Sequence, residues 1–307
     1  MQPDNNILSR HAVLDDSDRA DAAVLGETFA SLDALDLHAN DGDGRLHRLW
    51  SAGWPKVAAI AIAIFLWQVV VWSGWKPKFA LAPPADAFGE LKDLAADGTL
   101  TKAISITMRR AAIGFGLALI IGVALGVVVA RVKLVRTAVG SLITGIQTMP
   151  SIAWFPLAIM MFKLSEEAII FVVVLGAAPA IANGLISGVD HIPPILLRAG
   201  RVLGAKGWAN LRHIVLPASL PSFIGGLKQG WAFAWRSLMA GELLVVIPGE
   251  PSVGFLLNLN RELADSSGVL ATMIVILIIG IAVDSLVFGV LDRKVRQRWG
   301  LVDTASH

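Results

Sequence analysis

Arg236 is the charged side chain of this sequence whose position most strongly suggests a chemical role. It lies in the middle of a long apolar stretch, and Trp231 and Trp235 share one helical face just before it. A cation at the centre of a hydrocarbon layer costs about 2.5 to 3.5 kcal/mol, so it should face a cavity or a partner. Two interpretations stay open: the guanidinium binds an anion in a path through the membrane, or it pairs structurally with Asp284 or Glu242. The two tryptophans either line that path or pack in the core.

Other arrangements that perform chemistry are absent from the sequence. The six histidines are scattered and cysteine is missing, which excludes thiolate metal sites, disulfides and a cysteine nucleophile. Gly200, Gly204 and Lys206 lack the spacing and the trailing hydroxyl residue of a phosphate-binding loop. We therefore predict that the chain is not an enzyme and holds no metal or cofactor of its own. Asp284, inside the last apolar stretch, is a candidate proton relay or a hydrogen-bond partner between helices.

A second group of charges forms a polar segment, RAGRVLGAKGWANLRHIVLP, from Arg198 to Pro217 between two apolar stretches. Its charges cannot lie in hydrocarbon, so the segment must face the cytoplasm or a protein. Glycines permit close approach, and apolar residues at roughly helical spacing offer a contact face. We predict a short helix docked on a partner, with an ordinary basic loop that fixes topology as the alternative. The charged, glycine and apolar residues are Arg198, Arg201, Lys206, Arg212, His213, Gly200, Gly204, Gly207, Val202, Leu203, Trp208 and Leu211.

The composition indicates that these groups belong to an integral membrane protein surrounded by lipid. The mean hydropathy is +0.66 and 55% of the 307 residues are hydrophobic, which is too apolar for a soluble domain. The net charge is only +2. Acids gather before about residue 43 and bases lie beside the apolar stretches, a distribution that indicates membrane topology rather than nucleic-acid binding.

Six apolar segments are long enough to cross a bilayer, which predicts an all-α integral membrane fold. They define a transmembrane domain at residues 54–292, between a polar, largely mobile tail at 1–53 and a basic tail at 293–307. The N-terminal tail contains a candidate short helix near 20–37, and its start lacks the pattern of a cleaved secretory signal. The predicted spans are about 57–75, 104–130, 137–162, 168–189, 219–246 and 269–291.

Two spans carry packing signals, and one connection has a helical pattern. In the second span small residues recur every four positions from Gly114 to Ala130, which permits close helix contact in lipid. The third is interrupted by Pro150 and Pro156, a break that survives in a membrane only where protein or water satisfies the freed carbonyls. The connection at 76–102 is expected to contain a short amphipathic surface helix.

Orientation follows from the lysines and arginines of the short loops. The basic residues before the first span, the 131–136 loop, the Arg198–Pro217 segment and the C-terminal cluster all fall on one side of a six-span arrangement. That side is expected to be cytoplasmic, so both termini are predicted to lie in the cytoplasm.

The polar segment resembles the cytoplasmic loop of bacterial ATP-binding-cassette (ABC) importer permeases, whose motif begins Glu-Ala-Ala, continues with Gly and ends Ile-x-Leu-Pro. Two residues depart from that pattern, because Arg198 replaces the Glu and Gly200 replaces the second Ala. Further similarity runs from Ile104 to Trp299, and it is typical of the permeases that serve nitrate, sulfonate, taurine and bicarbonate uptake. It includes Arg110 with Gly114-Phe115, Pro150 to Pro156 with Trp154, Pro179 to Asn183, and Gly226-Leu227 through Ala234-Trp235 to Glu242.

The resemblance implies a type I ABC importer permease fold with a short cytoplasmic coupling helix, in the plasma membrane of a bacterium. It also implies partners: two copies of a cytoplasmic ATPase that hold the ATP and Mg²⁺, an extracytoplasmic substrate-binding protein, and a second permease copy, with an unlike permease as the alternative to a homodimer. The implied ATPase-coupling residues are Arg198, Ala199, Gly200, Leu203, Gly204, Ile214, Leu216 and Pro217. The candidate translocation-path residues are Arg236, Trp231, Trp235, Glu242, Trp154 and Asn183.

The competing class is a self-sufficient secondary transporter or channel, driven by an ion gradient through Asp284, Glu242 and Arg236. Such proteins often contain two related halves, and we find no internal repeat in this sequence.

Overall fold

The computed structural model describes residues 45–298 of the chain, except for some side chains. All regular elements in that part are helical. The polar tail as far as residue 44, with the helix predicted near 20–37, lies outside the described residues, as does the end of the basic tail at 299–307.

The helices are numbered in chain order. A 3₁₀ turn at Ser151–Trp154 precedes α5, and π-helical turns at Leu211–Val215 and Asp284–Phe288 lead into α9 and α12. The bounds are α1 Arg45–Trp72, α2 Pro84–Ala96, α3 Thr99–Arg131, α4 Lys133–Thr148, α5 Phe155–Phe162, α6 Glu166–Asp190, α7 Pro194–Val202, α8 Trp208–Asn210, α9 Leu216–Leu244, α10 Val253–Glu262, α11 Ser266–Val283 and α12 Gly289–Arg298.

The chain divides into two compact units, residues 1–69 and 70–307. Of the first unit only α1 is described. Its stretch Trp54–Trp72 has a mean hydropathy of 1.8 and is long enough to cross a membrane. The helix ends at Trp72, so the predicted first span is three residues too long at its C-terminal end.

The core of the second unit forms where α6 packs between α3 and α9. Ile169, Val172, Val173 and Ile181 of α6 are fully buried. The approach to α9 is closest at Gly184, where an added Cβ would lie 2.4 Å from the Cα of Gly226. Only glycine fits on both sides of that contact, because a methyl group would meet backbone rather than a movable side chain.

The small residues of α3 face α6, which confirms the packing surface predicted from their four-residue spacing. Gly114, Ala118, Gly122 and Gly126 are all buried. A Cβ added to Gly122 would lie 2.8 Å from the carbonyl oxygen of Ala178 in α6. The strip therefore brings two membrane helices into backbone contact.

The predicted third span, 137–162, is not one straight helix. Its two halves, Leu134–Thr148 and Ser151–Phe162, meet at an angle of 102°. Met149 is extended between them, as expected for a residue before proline, and Pro150 supplies no N–H to continue α4. The break was predicted from the prolines, but its angle was not.

Four described helical stretches are long and apolar enough to span a membrane, or five if the bent pair is one span. The helix α9, 29 residues long, covers about 43 Å at 1.5 Å per residue, and it contains three charged residues, Lys228, Arg236 and Glu242. With α9, six helical segments correspond to the six predicted spans. The last is longer than predicted, since a helical stretch runs from Ser266 to Arg298 and includes part of the basic tail.

Candidate functional site

The Arg198–Pro217 segment, called the docking segment below, folds as a helical hairpin. The helix α7 ends in a Schellman cap, in which the N–H of Ala205 donates to the carbonyl of Gly200 at 2.9 Å and that of Gly204 to Arg201 at 3.1 Å. Gly204 has φ of +78°, a left-handed conformation that favours glycine. Its open surroundings mean that a larger residue would strain the backbone without a clash.

The two arms of the hairpin meet at Gly200 and Ile214. Gly200 is buried, and a Cβ at this position would lie 1.8 Å from the Cδ1 of Ile214. The isoleucine methyl therefore fills the space that the alanine of the family motif would use. Of these two positions only Gly200 departs from the family motif, since Ile214 matches its isoleucine.

The tip of the hairpin presents three large apolar side chains to solvent. Val202, Leu203 and Trp208 are 87%, 85% and 70% exposed. Arg198 and Arg201 are exposed beside them. Exposed apolar patches of this kind are typical of interaction sites.

The coupling residues predicted from the sequence separate into two groups. Arg198, Ala199, Leu203 and Gly204 are exposed, with Leu216 also about half exposed, so these can touch a partner. The remaining three, Gly200, Ile214 and Pro217, are buried or half-buried and hold the hairpin and the start of α9 together.

The side chain of Arg236 borders a cavity of about 270 Å³, called the Arg236 cavity below. The bend between α4 and α5 forms one wall with Met149 and Trp154, and Gly176 of α6 lies opposite. Arg236 donates through Nε to the carbonyl of Ala232 at 3.0 Å, which leaves both terminal nitrogens for other partners. Its guanidinium also lies over the ring of Phe233, 4.7 Å from the centroid.

Two polar residues extend the donor surface of this cavity. Gln147 lines it, and the side-chain amide of Asn183 donates to the Gln147 oxygen at 2.7 Å. The amide nitrogen of Gln147 is therefore the end left for a ligand. No aspartate or glutamate is among the described lining residues, so the cavity has a positive charge and hydrogen-bond donors without a competing anion.

Arg236 does not form the structural ion pair proposed as its alternative role. Asp284 pairs with Lys228 at 3.1 Å, and Glu242 pairs with Arg110 at 3.3 Å. Glu242 lies on the same helix as Arg236 and Asp284 lies in the π-helical turn before α12, and the sequence alone could not show that other cations are closer to both.

Three of the six candidate path residues lie away from the Arg236 cavity. Trp231 is buried and packs edge-on against Phe115 with ring centroids 5.5 Å apart. Trp235 stacks on Trp231 and borders a different cavity, of about 650 Å³, beside Asp284. Glu242 is fully buried. The structure thus brings together Arg236 and Trp154, with Asn183 one hydrogen bond behind them.

An ion cluster around the buried Arg110, called the Arg110 cluster below, was not predicted. Arg110 donates to Glu166 at 2.8 Å, to Glu250 at 2.8 Å and to Glu242 at 3.3 Å. Arg109 also donates to Glu166 and Glu250, at 2.6 and 3.1 Å. The signal available in the sequence was the Arg109-Arg110 pair inside an apolar span, with three glutamates at or near the ends of other spans.

Backbone groups complete the Arg110 cluster and tie it to α10. The hydroxyl of Thr107 donates to Glu242 at 2.9 Å and accepts from the N–H of Val253 at 3.0 Å. The N–H of Gly254 donates to Glu242 at 3.1 Å. In the loop between α9 and α10, hydrogen bonding with Glu166 and the charges of the two arginines lower the pKa of Glu250. The cluster therefore fastens one end of α3, α6 and α9 to the same loop.

Within residues 45–298 no group of three histidine, aspartate or glutamate side chains is arranged to hold a metal ion.

Comparison with known proteins identifies the family. The family described as "Binding-protein-dependent transport system inner membrane component" matches residues 118–297. The taurine transport system permease protein of Escherichia coli is 25% identical over 229 residues, covering 73% of this chain and 82% of that protein. The nitrate import permease protein of Leptolyngbya laminosa is 28% identical over 251 residues, covering 78% and 87%.

A solved structure shares the fold. A chain of the MetNI methionine ABC transporter, in an inward-facing conformation, matches with a TM-score of 0.54 and 21% identity, covering 64% of this chain and 95% of that chain. Proteins of this type are inner membrane components that work with an ATPase and a substrate-binding protein. The matched region, residues 118–297, contains the docking segment, the Arg236 cavity and most of the helices packed around α6. Because this family match covers more than half of the chain, the chain belongs to the family of inner membrane permease components of binding-protein-dependent ABC importers.

Proposed function

We propose that this chain is the membrane-spanning subunit of an ATP-driven importer for a small anion, and that its docking segment binds a separate cytoplasmic ATPase. The observation that supports this most directly is the exposed apolar tip of Val202, Leu203 and Trp208. Backbone hydrogen bonds already fix the turn that presents these side chains, so little backbone conformational entropy is lost when a partner buries them.

The apolar surface at the tip is large enough that its burial would hold a partner. A large apolar side chain contributes about 1.5 to 3 kcal/mol when it moves fully from water into a protein interface. The flanking arginines add charge-assisted contacts and favour an acidic rim on the partner surface. Loss of Leu203 alone should weaken docking about 10- to 100-fold.

In the proposed transport cycle, the hairpin transmits movement of the ATPase to the membrane helices. ATP and Mg²⁺ bind on the partner ATPase, two ATPase subunits close, and the two docking segments attached to them are drawn together. Because the hairpin is joined to α9 through Ile214 and Leu216, this movement is passed to the membrane helices. Each chain supplies one docking segment, so we propose a homodimer with two ATPase copies.

The Arg236 cavity supports an anionic substrate. The Arg236 guanidinium has no acidic partner among residues 45–298, and together with the Gln147 amide it suits oxyanions. The bend at Pro150 gives the cavity a wall inside the membrane domain. The names of the two relatives refer to taurine and nitrate transport, which belong to the same class of small anions. A substrate-binding protein would deliver the anion from the opposite side of the membrane, with both termini of this chain in the cytoplasm.

The docking proposal can be tested with two leucines. Leu203→Asp puts a charge on the exposed tip, and Leu263→Asp makes the same change at a 67% exposed position in the turn after α10, on the side predicted to face away from the cytoplasm. The tagged chain is purified in detergent from membranes of cells that also express the transporter ATPase. We expect Leu203→Asp to lose the co-purifying ATPase activity and Leu263→Asp to keep it.

Two results would contradict the proposal. One is full retention of the ATPase and of transport by Leu203→Asp. The other is uptake by the purified chain alone, driven by an ion gradient, as the secondary-transporter alternative requires. The pairing of Asp284 with Lys228 and of Glu242 with Arg110 gives both carboxylates structural partners.

A further inference from the structure

A cavity of about 700 Å³, separate from the Arg236 cavity, lies beside the docking segment between α3, α6, α9 and α12. Its walls are apolar and come from all four helices. The main apolar lining residues are Val123, Val127, Leu185, Leu220, Phe223 and Val295. Two of its lining residues, Val127 and Leu216, are exposed, so the cavity opens to the surface of α3 and α9, and α3 is long and apolar enough to span a membrane.

Three cations line the same cavity. Arg212 comes from the π-helical turn before α9, and Lys294 and Arg298 are four residues apart on one face of α12. No aspartate or glutamate is among the described lining residues. The acid nearest in sequence, Asp292, is paired with Arg296 at 3.0 Å.

The charges of these three residues are uncompensated within the described part of the chain. No ion pair or hydrogen bond of the Arg212, Lys294 or Arg298 side chains is present among residues 45–298. Like charges at i and i+4 of a helix repel, and convergence of a third cation adds to that repulsion. An anion between them would remove it.

A neighbouring cavity of about 120 Å³ enlarges the apolar space. It shares Val127, Leu185, Leu216 and Ser219 with the first, and Arg131 at the end of α3 borders it. A fourth cation therefore stands at the rim, and the combined lining is apolar over most of its surface.

We propose that this basic-rimmed cavity binds an anionic phospholipid, with the phosphate of the headgroup on Arg212, Lys294 and Arg298 and an acyl chain along the apolar wall. A soluble anion would satisfy the cations but not the apolar surface, and an uncharged lipid would satisfy only the wall. Basic pockets between membrane helices are suited to anionic headgroups for this reason. The site is independent of the transport path and of the substrate.

Lipid binding at this position would act on the docking segment. Arg212 lies two residues from Ile214, whose side chain packs on Gly200 inside the hairpin. A headgroup held by Arg212 and by α12 would connect the hairpin to the last helix.

The test is a lipid titration of the purified full-length chain in detergent, followed by native mass spectrometry. Phosphatidylglycerol and phosphatidylcholine with identical acyl chains are compared, and phosphatidylglycerol is expected to bind more tightly. Each basic residue contributes about a fivefold factor, so Lys294→Gln with Arg298→Gln should weaken phosphatidylglycerol binding about 25-fold. The matched control, Arg293→Gln with Arg296→Gln, removes the same charge from the same helix outside the cavity lining and should change binding less than about twofold.

Two single changes test the site independently of α12. Arg212→Gln should weaken phosphatidylglycerol binding about fivefold. Val127→Trp fills the apolar wall without a change of charge and should weaken it as well. Excess inorganic phosphate should not displace the lipid.

Four outcomes would overturn the proposal. They are equal affinity for the two lipids, equal loss in the two double variants, unchanged binding by Arg212→Gln and Val127→Trp, and displacement by inorganic phosphate. The last would assign the cations to a soluble anion.

Discussion

Replacement of Arg110 by methionine is expected to destabilise the chain strongly, because it strands a buried carboxylate. The Arg110 side chain is 2% exposed and that of Glu242 is 0% exposed. Methionine keeps similar bulk but provides no donor for Glu242, Glu166 or Glu250. Of these three, only Glu242 has no access to solvent.

The magnitude follows from the partners that remain. Breaking one side of a buried ion pair costs about 3 to 5 kcal/mol. Glu242 keeps the hydroxyl of Thr107 and the N–H of Gly254, at 2.9 and 3.1 Å, so the lower end of that range applies. We expect a loss of about 3 kcal/mol in the free energy of unfolding, which is a change of more than 100-fold in the unfolding equilibrium.

The neighbouring arginine is the control. Arg109 donates to the same two glutamates, Glu166 and Glu250, but its side chain is 49% exposed. Exposed ion pairs contribute about 0 to 1 kcal/mol, so Arg109→Met should lose less than about 1 kcal/mol. Steric-trapping measurements of unfolding in detergent would give both values on the full chain.

A double-mutant cycle separates loss of the charge pair from loss of packing. Glu242→Gln removes the charge while its carbonyl oxygen still accepts from Thr107 and Gly254. Combined with Arg110→Met it should therefore cost less than the sum of the two single changes, by about 1 to 3 kcal/mol. Equal destabilisation by Arg109→Met and Arg110→Met, or strict additivity in the cycle, would refute this reasoning.

Three further outcomes are expected. Gly184→Ala should lower the free energy of unfolding by about 1 to 3 kcal/mol, because the added Cβ meets the backbone of α9. Gly225→Ala, in open space, should be nearly neutral. Equal thermal stability of the two variants would contradict this. Arg236→Met should give a normal folded yield, since no described carboxylate pairs with Arg236. In proteoliposomes containing the complete transporter this variant should show no anion uptake, and Arg236→Lys should be intermediate. Normal uptake by the methionine variant would remove Arg236 from the anion path. In this cysteine-free chain, Leu164→Cys at a 57% exposed position should react with an impermeant thiol reagent from outside cells, and Ser17→Cys should not. Labelling of Ser17→Cys from outside would contradict the orientation.

Helix positions were predictable because the periodicity and length of the apolar segments determine them locally. The four-residue spacing of Gly114, Ala118, Gly122 and Gly126 correctly indicated a close helix contact. The prolines at 150 and 156 correctly indicated a break. The 102° angle at that break was not predictable, because packing against α6 and α9 decides where the second half goes.

The sequence predicted a short helical segment at Arg198–Pro217 from charges, glycines and spacing that all lie within one short stretch, and its docking on a partner stays a prediction. The tertiary structure was needed to show which of its residues are exposed at the tip and which are buried or half-buried between the arms of the hairpin and at the start of α9. Gly200 is the clearest case: the sequence shows a departure from the family motif, and only the structure shows that this glycine is buried against Ile214.

The sequence by itself determined the class of protein, the number and order of its apolar segments, and the family, since these depend on local composition and short motifs. The tertiary structure decided which charges meet. Glu242 pairs with Arg110, which is 132 residues away, and Arg236 borders a cavity with no acidic partner in the described part of the chain. Pairing between distant helices depends on their rotation and depth in the bundle, and a shift of one residue turns a helical side chain by about 100°. No local sequence pattern determines that rotation, so the partners of the charged side chains in the membrane helices could be assigned only from the packed structure.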